Sequence, residues 1–386
     1  MKIKYSKQYI DKLDIKKVVQ ALKSELITTG PFVDELEKDS KKYFNTKYVL
    51  ACSSGTTALY MAMRALDIKK GDVVIMPTIN FVASSNVASL LGAKIFLCDV
   101  DSNTGQMTPQ KLLDCIKINK IKKVKLVITM FLGGAPLNVF DFYKLKKKYN
   151  FSIIEDSCHA LGASYKFKNK YVKVGASLHS DISTFSLHPL KSITSGEGGL
   201  ITTRSKFINE KLILLRSHGI KKNLKKYWLP QVLLPSLNFR ISDINAALAI
   251  SQLKKLSKFI KKRNQIAHLY YQNLNNFKDV IKVFKPNREV YSSFHLQLLM
   301  INFKKLKISK DTFIELLNKQ NIFPQYHYMP IYKFIFYKNL NKNNNFSDTE
   351  KYYKSALSFP IYYSIEKKSL AKIFYTIKKI IIKNMK

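Results

Sequence analysis

Between residues 50 and 205, short apolar runs alternate with stretches of helical spacing, and no other feature of the sequence restricts the fold as tightly. The runs predict strands at Asp72–Pro77, Lys94–Val100, Lys125–Phe131, Phe151–Asp156, Asp181–Leu187 and Gly199–Thr203. Helical spacing falls at Thr57–Leu66, Phe81–Leu91, Pro109–Ile118 and Phe140–Tyr149. Strands separated by helices argue for βαβ units and an α/β fold with a mainly parallel sheet. Right-handed crossovers then put helices on both faces, and ligands bind beyond the carboxyl ends of the strands.

From Ser242 to about Leu274 a helical pattern runs without Pro or Gly, and beyond it the composition shifts toward Lys, Tyr, Phe and Asn. This predicts a large domain over 1–250 and a smaller α+β domain over 251–386, a size at which each part can bury its own core. Asn339–Asp348 reads as a polar loop. A final helix carries Ile373, Phe374, Ile377, Ile380 and Ile381 on one face. No apolar run reaches the roughly 18–20 residues of a membrane span, and the opening MKIKYSKQYIDKLD has no apolar signal core. The four cysteines, Cys52, Cys98, Cys115 and Cys158, fit no metal or disulfide spacing. Reduced thiols and a cytoplasmic setting are the expectation.

Lys and Arg number 66 against 26 Asp and Glu, a net charge of +40. Such an excess raises nucleic acid as a partner. Yet only six of these cations are Arg, the lysines are spread along the chain, and Asn and Ile are abundant too. We read the charge as compositional drift, with neither nucleic acid nor membrane as a partner.

The dinucleotide GxGxxG, the P-loop and HExxH are all absent. Three segments could do chemistry. Ser53-Ser54-Gly55-Thr56-Thr57 opens a helix, where free N–H groups and hydroxyls make an anion cradle; ordinary N-capping would use the same residues. Glu155-Asp156 ends a buried strand, and His159 follows three residues later. An Asp there can hold a protonated ring nitrogen, or simply cap the junction. In the stretch from Asp181 to Gly199, a strand runs through Ser186 into a loop with Lys191 and then into GEGG. A lysine in such a cleft can lose its proton and form a Schiff base, although most lysines of this chain belong to the surface. Phosphate cradle, strand-end Asp, loop Lys and the aromatic Phe81 together match the needs of pyridoxal phosphate, whose protonated ring acts as an electron sink.

At these residues the chain resembles the DegT/DnrJ/EryC1/StrS sugar aminotransferases, of the fold-type I pyridoxal-phosphate superfamily. The likeness runs through ITTGP (27–31), SGTTAL (54–59), NFVA (80–83), EDSCHALG (155–162), FSLHPLK (185–191), EGG (197–199), LRSHG (215–219), NFRISD (238–243) and HYMP (327–330). It implies that Lys191 bonds the cofactor, Asp156 partners the pyridine nitrogen, and Ser186, Ser54, Gly55 and Thr56 bind the phosphate. It further implies Phe81 stacked on the ring, His159 beside it, and Asn238 reaching the phosphate of a neighbouring subunit, so that a homodimer shares its sites. Tyr5, the stretch Glu25, Leu26, Ile27 and Thr28, and the stretch Gln325, Tyr326, His327 and Tyr328 resemble nucleotide-sugar contacts.

Within the family, Tyr5-Ser6 with Asp11–Ile15, FSLHPLKSIT, RSHGIKK and QYHYMPIYKFIFYKN are similar to the aminotransferases of pseudaminic acid biosynthesis. That likeness implies amination by glutamate at C4 of a UDP-4-keto-6-deoxy-N-acetylhexosamine; a perosamine- or legionaminic-type nucleotide sugar is the alternative. Two departures bear on the substrate. The chain reads Gly133-Gly134-Ala135-Pro136 where the family often has Gly-Gln, and Ser236-Leu237 where Gly-Tyr is common. Dehydratase relatives carry His in place of the cofactor lysine; here Lys191 is kept, which implies transamination.

Overall fold

The computed structural model describes residues 2–221, 226, 228–340 and 344–386. The chain opens with β1 (Ile3–Lys4), α1 (Lys12–Leu22), α2 (Pro31–Phe44), β2 (Tyr48–Cys52) and α3 (Gly55–Ala65). It continues through β3 (Val73–Pro77), α4 (Ala83–Leu90), β4 (Lys94–Cys98), α5 (Pro109–Ile118), β5 (Leu126–Met130), α6 (Val139–Tyr149) and β6 (Ser152–Asp156). A hairpin of β7 (Ser164–Phe167) and β8 (Lys170–Lys173) precedes β9 (Ile182–Ser186), β10 (Gly199–Thr203) and α7 (Lys206–Arg216). Two short strands, β11 (Ile220–Lys221) and β12 (Gln231–Val232), lead to the long helix α8 (Asp243–Leu274). The remainder is β13 (Ile281–Val283), β14 (Val290–Tyr291), β15 (Gln297–Ile301), α9 (Lys310–Lys319), β16 (Ile322–Phe323), α10 (Ser347–Ser355), β17 (Ala356–Phe359) and α11 (Lys367–Asn384).

The central sheet has seven strands in the order β2-β10-β9-β6-β5-β3-β4. β10 is antiparallel to both neighbours, while β9, β6, β5, β3 and β4 run parallel. All six strands expected from the sequence are present. Leu126–Met130 is buried at every residue, as a strand covered by helices on both faces must be. Sequence spacing missed the edge strand β2, and the small β7–β8 hairpin, whose strands pair only with each other and β14. It also missed α1 and α2, although α1 begins with a capping box in which the Asp11 carboxylate accepts from Asp14 N–H and Asp14 accepts from Asp11 N–H.

The boundary expected at 250/251 falls inside α8. Residues Ala246 to Ile260 of that helix pack with α2 and the sheet, in a core with Val33, Leu36 and Phe44. Residues Ile266 to Leu274 join a second core with β13, β15, β17 and the buried face of α11. One helix thus belongs to two apolar cores. The N-terminus crosses over as well: β1 pairs in parallel with β16, bringing Ile3 against Ile322. The final helix buries Ile373, Phe374, Ile377, Ile380 and Ile381, as its spacing predicts. The loop expected over Asn339–Asp348 and the end of RSHGIKK fall partly on 341–343 and 222, outside the described residues; Ser347 and Asp348 already belong to α10. Among the described residues, no helix is long and apolar enough to cross a membrane.

Candidate active site

The carboxyl ends of β2, β6 and β9 open onto one cavity of about 460 Å³. At its floor α3 begins. Ser54 caps that helix, its hydroxyl accepting from Thr57 N–H at 3.1 Å. Gly55 and Thr56 follow in the first turn, where N–H groups have no acceptor within the helix and the dipole favours an anion. Backbones crowd here: a Cβ on Gly55 would lie 2.8 Å from Ser186 Cβ, and one on Gly199 would lie 2.3 Å from Ser54 O. Glycine at both places lets β9 and β10 close against the cradle.

Asp156 ends β6 and is 3% exposed. Its carboxylate is oriented from behind by Cys158 N–H (3.2 Å) and the Ser84 hydroxyl (3.3 Å), which in turn accepts from Asn80 Nδ2 at 3.1 Å. Burial raises its pKa, opposed by these donors and by the nearby Lys191 charge. Lys191 lies in the loop after β9, where burial lowers its ammonium pKa against the attraction of Cys158 and Asp156. The Ser6 hydroxyl fastens this loop by donating to Leu190 O at 3.1 Å.

The opposite wall is aromatic. His159, His295 and His327 are 1%, 2% and 7% exposed. The His159 and His295 rings lie 4.1 Å apart. Burial pulls all three imidazoles down, His327 to about 3, and neighbouring cations add to the effect, so they stand neutral. Tyr328 Oη lies 2.9 Å from His159 Nε2, and the Tyr328 ring tilts against Phe81 at 5.9 Å. Tyr5 reaches the same wall through an edge contact with His327.

Of the residues expected from the sequence, Tyr5, Ser54, Gly55, Thr56, Phe81, Asp156, His159, Ser186, Lys191, His327 and Tyr328 line the cavity. Asn238, Gln325, Tyr326 and the stretch Glu25–Thr28 do not. Gln325 pairs its backbone with Ser358, and the Tyr326 hydroxyl donates to Asp311 at 3.1 Å, so both residues are engaged away from the cavity that His327 and Tyr328 line. Thr28 bridges Ser242, with Leu26 and Ile27 half exposed. Asn238 lies on the surface, accepting from Arg240 N–H. Sequence reasoning missed His188, Glu197 and His295, which also line the cavity. His188 and Glu197 flank the lysine loop and could have been marked by position; nothing in the sequence marks His295.

Residues 8–378 match the DegT/DnrJ/EryC1/StrS aminotransferase family. The chain belongs to this family. Among its curated relatives is a UDP-4-amino-4,6-dideoxy-N-acetyl-β-L-altrosamine transaminase of Campylobacter jejuni, 36% identical over 93% of this chain and 92% of that protein. Among solved members, PseC of Helicobacter pylori, an aminotransferase involved in the biosynthesis of pseudaminic acid, superposes with a TM-score of 0.90 at 28% identity, covering 99% of this chain and 100% of its own. Spr1654 of Streptococcus pneumoniae, described as a sugar aminotransferase and solved in its PLP form, gives 0.89 at 26% identity, covering 99% of both chains. Family membership makes the α/β architecture with its mainly parallel sheet that of a fold-type I aminotransferase, and the cavity at its strand ends the family's candidate active site.

Proposed function

We propose that this aminotransferase uses pyridoxal phosphate to move an amino group from glutamate to C4 of a UDP-4-keto-6-deoxy-N-acetylhexosamine, a step toward pseudaminic acid. What carries the reading is the convergence of Lys191, Asp156 and the N-terminus of α3 on one cavity. The donor set fits the cofactor: a hydroxyl-rich helix start for a phosphate, a buried carboxylate for a ring nitrogen, and a lysine with a lowered pKa for an aldehyde. The sugar class rests on the C. jejuni and H. pylori relatives.

When bound, pyridoxal phosphate supplies an aldehyde that accepts the amino group and a ring that withdraws electrons. The chain's own residues do the rest. Ser54, Gly55, Thr56 and Ser186 hold the phosphate. Asp156 keeps a proton on the ring nitrogen, its carboxylate fixed by Ser84 and Cys158 N–H. Lys191 Nζ would hold the cofactor's aldehyde carbon and, when free, would take the proton from the glutamate Cα. Phe81 and His159 lie against the ring. Tyr5, His327 and Tyr328 face the sugar.

A homodimer with shared sites belongs to the same proposal. The surface around Asn238 exposes Trp228, Val232, Leu233 and Leu237, each more than half exposed, an apolar area suited to a second copy. Asn238, Glu25, Leu26, Ile27, Thr28, Gln325 and Tyr326 then act at the rim or on the neighbouring site. A cytoplasmic setting is consistent with four free cysteines.

The test is an absorbance spectrum of purified protein before and after glutamate. A band near the visible edge that moves to shorter wavelength supports the cofactor and donor; absence of any band after adding pyridoxal phosphate overturns both. Assays with several 4-keto nucleotide sugars then decide the acceptor.

A further inference from the structure

The contacts of the Gly133-Gly134 segment fix which way a proton points inside the cavity. Gly133, at φ +74°, follows β5 in a conformation that favours glycine. Its N–H donates to His159 Nδ1 at 3.4 Å. A backbone N–H can only donate, so Nδ1 carries a lone pair. The ring is neutral, held so by burial and by His295, Lys191 and His327 around it. A neutral imidazole with a bare Nδ1 carries its proton on Nε2. Nε2–H then donates to Tyr328 Oη across 2.9 Å, and the Tyr328 proton is left to point elsewhere. Among the described residues that hydroxyl has no second hydrogen-bond partner, and the residue lines the cavity.

We infer that His159, oriented by Gly133 N–H, is a positioning residue that turns the Tyr328 hydroxyl proton into the cavity, aimed at the carbonyl oxygen of the keto substrate. The inference rests on the aminotransferase reading. In amination, a ketone oxygen must leave as water. As the amine nitrogen bonds to the ketone carbon, Tyr328 Oη gives its proton to that oxygen and takes one back from the nitrogen, and the carbon–oxygen bond then breaks. A second proton from the same nitrogen completes the water, and the residue ends as it began. Burial holds the phenol pKa well above its usual value, so the donor form persists through neutral pH.

The experiment reads proton position and rate separately. The full-length protein is labelled with ¹⁵N at histidine, with and without pyridoxal phosphate, and its ring nitrogens are assigned by NMR. His159 is expected as the neutral Nε2–H tautomer, with its Nε2 signal displaced by Tyr328→Phe. Tyr328→Phe should lower kcat by about 10²-fold, the size of a lost general acid, with pyridoxal phosphate affinity unchanged within about twofold. His159→Gln, whose amide oxygen can accept from Gly133 N–H while its NH₂ donates to Tyr328, should keep kcat within about fivefold. His159→Leu should match Tyr328→Phe. An Nδ1–H tautomer, or a Tyr328→Phe enzyme at wild-type kcat, overturns the inference while the glutamate-induced spectral shift of the wild type stands. Loss of that shift in the wild type overturns the proposed function instead.

Discussion

Glu155 and Asp156 are neighbours on β6, both carboxyls and both almost fully buried, at 4% and 3% exposure. The pleat sends them to opposite faces of the sheet. Asp156 faces the cavity, with Lys191 near enough to favour its charged form. Glu155 faces a closed layer of hydroxyls. Its Oε2 accepts from Ser183 at 2.6 Å, Ser183 Oγ lies 3.3 Å from Ser177 Oγ, and Ser177 Oγ lies 2.9 Å from Thr202 Oγ1. Burial, helped by the charge of Asp181 and opposed by the hydroxyl of Ser183, pushes Glu155 up to about 7. The same chemical group, one residue apart, meets a cation and open volume on one face, where we propose it partners a ring nitrogen, and buried hydroxyls on the other.

Four measurements would break or sharpen this contrast, beginning with the largest effect. Lys191→Ala removes the cation on the cavity face and should lower turnover by about 10⁴-fold or more, with loss of the cofactor absorbance band; turnover near wild type would break the assignment. Asp156→Asn should lower kcat by about 10²–10³-fold, because a neutral amide no longer holds the ring-nitrogen proton. Steady-state kinetics beside Glu155→Gln, expected within about twofold of wild type, test whether the two faces differ as stated.

The third effect is on stability. The folded pKa of Glu155, about 7, lies above the ordinary value of 4.5, so its contribution is fully present below about pH 4.5 and is lost as pH rises through 7. At pH 8 that loss approaches about 3 kcal/mol. Glu155→Gln should therefore raise the denaturation midpoint at pH 8 and have little effect at pH 5. The smallest effect is expected of Ser183→Ala, which removes one donor from the buried carboxyl and should cost about 1–2 kcal/mol in chemical denaturation at neutral pH.

The front of the site was legible in the sequence because every part of it is local. Ser54 precedes its own helix, Asp156 ends its own strand, and Ser186 and Lys191 share one strand-to-loop junction. Alternating strands and helices aim all of them at the same sheet edge. The back wall was not legible from spacing. Tyr328 meets His159 across 169 residues, and His295 meets it across a gap that no local pattern marks. Resemblance did point to His327 and Tyr328, but also to Gln325 and Tyr326, which are held elsewhere by Ser358 and Asp311.

The sequence by itself determined six of the seven strands of the central sheet, the crossover helices and the chemistry carried at strand ends, since apolar periodicity and strand-to-loop junctions are properties of neighbouring residues. Only the tertiary structure decided which carboxyl of the Glu155-Asp156 pair met a cation, where α8 passed from one core to another, and which nitrogen of His159 kept its proton. Each of these depends on a partner brought in from a distant segment, and close packing, not spacing along the chain, chooses that partner.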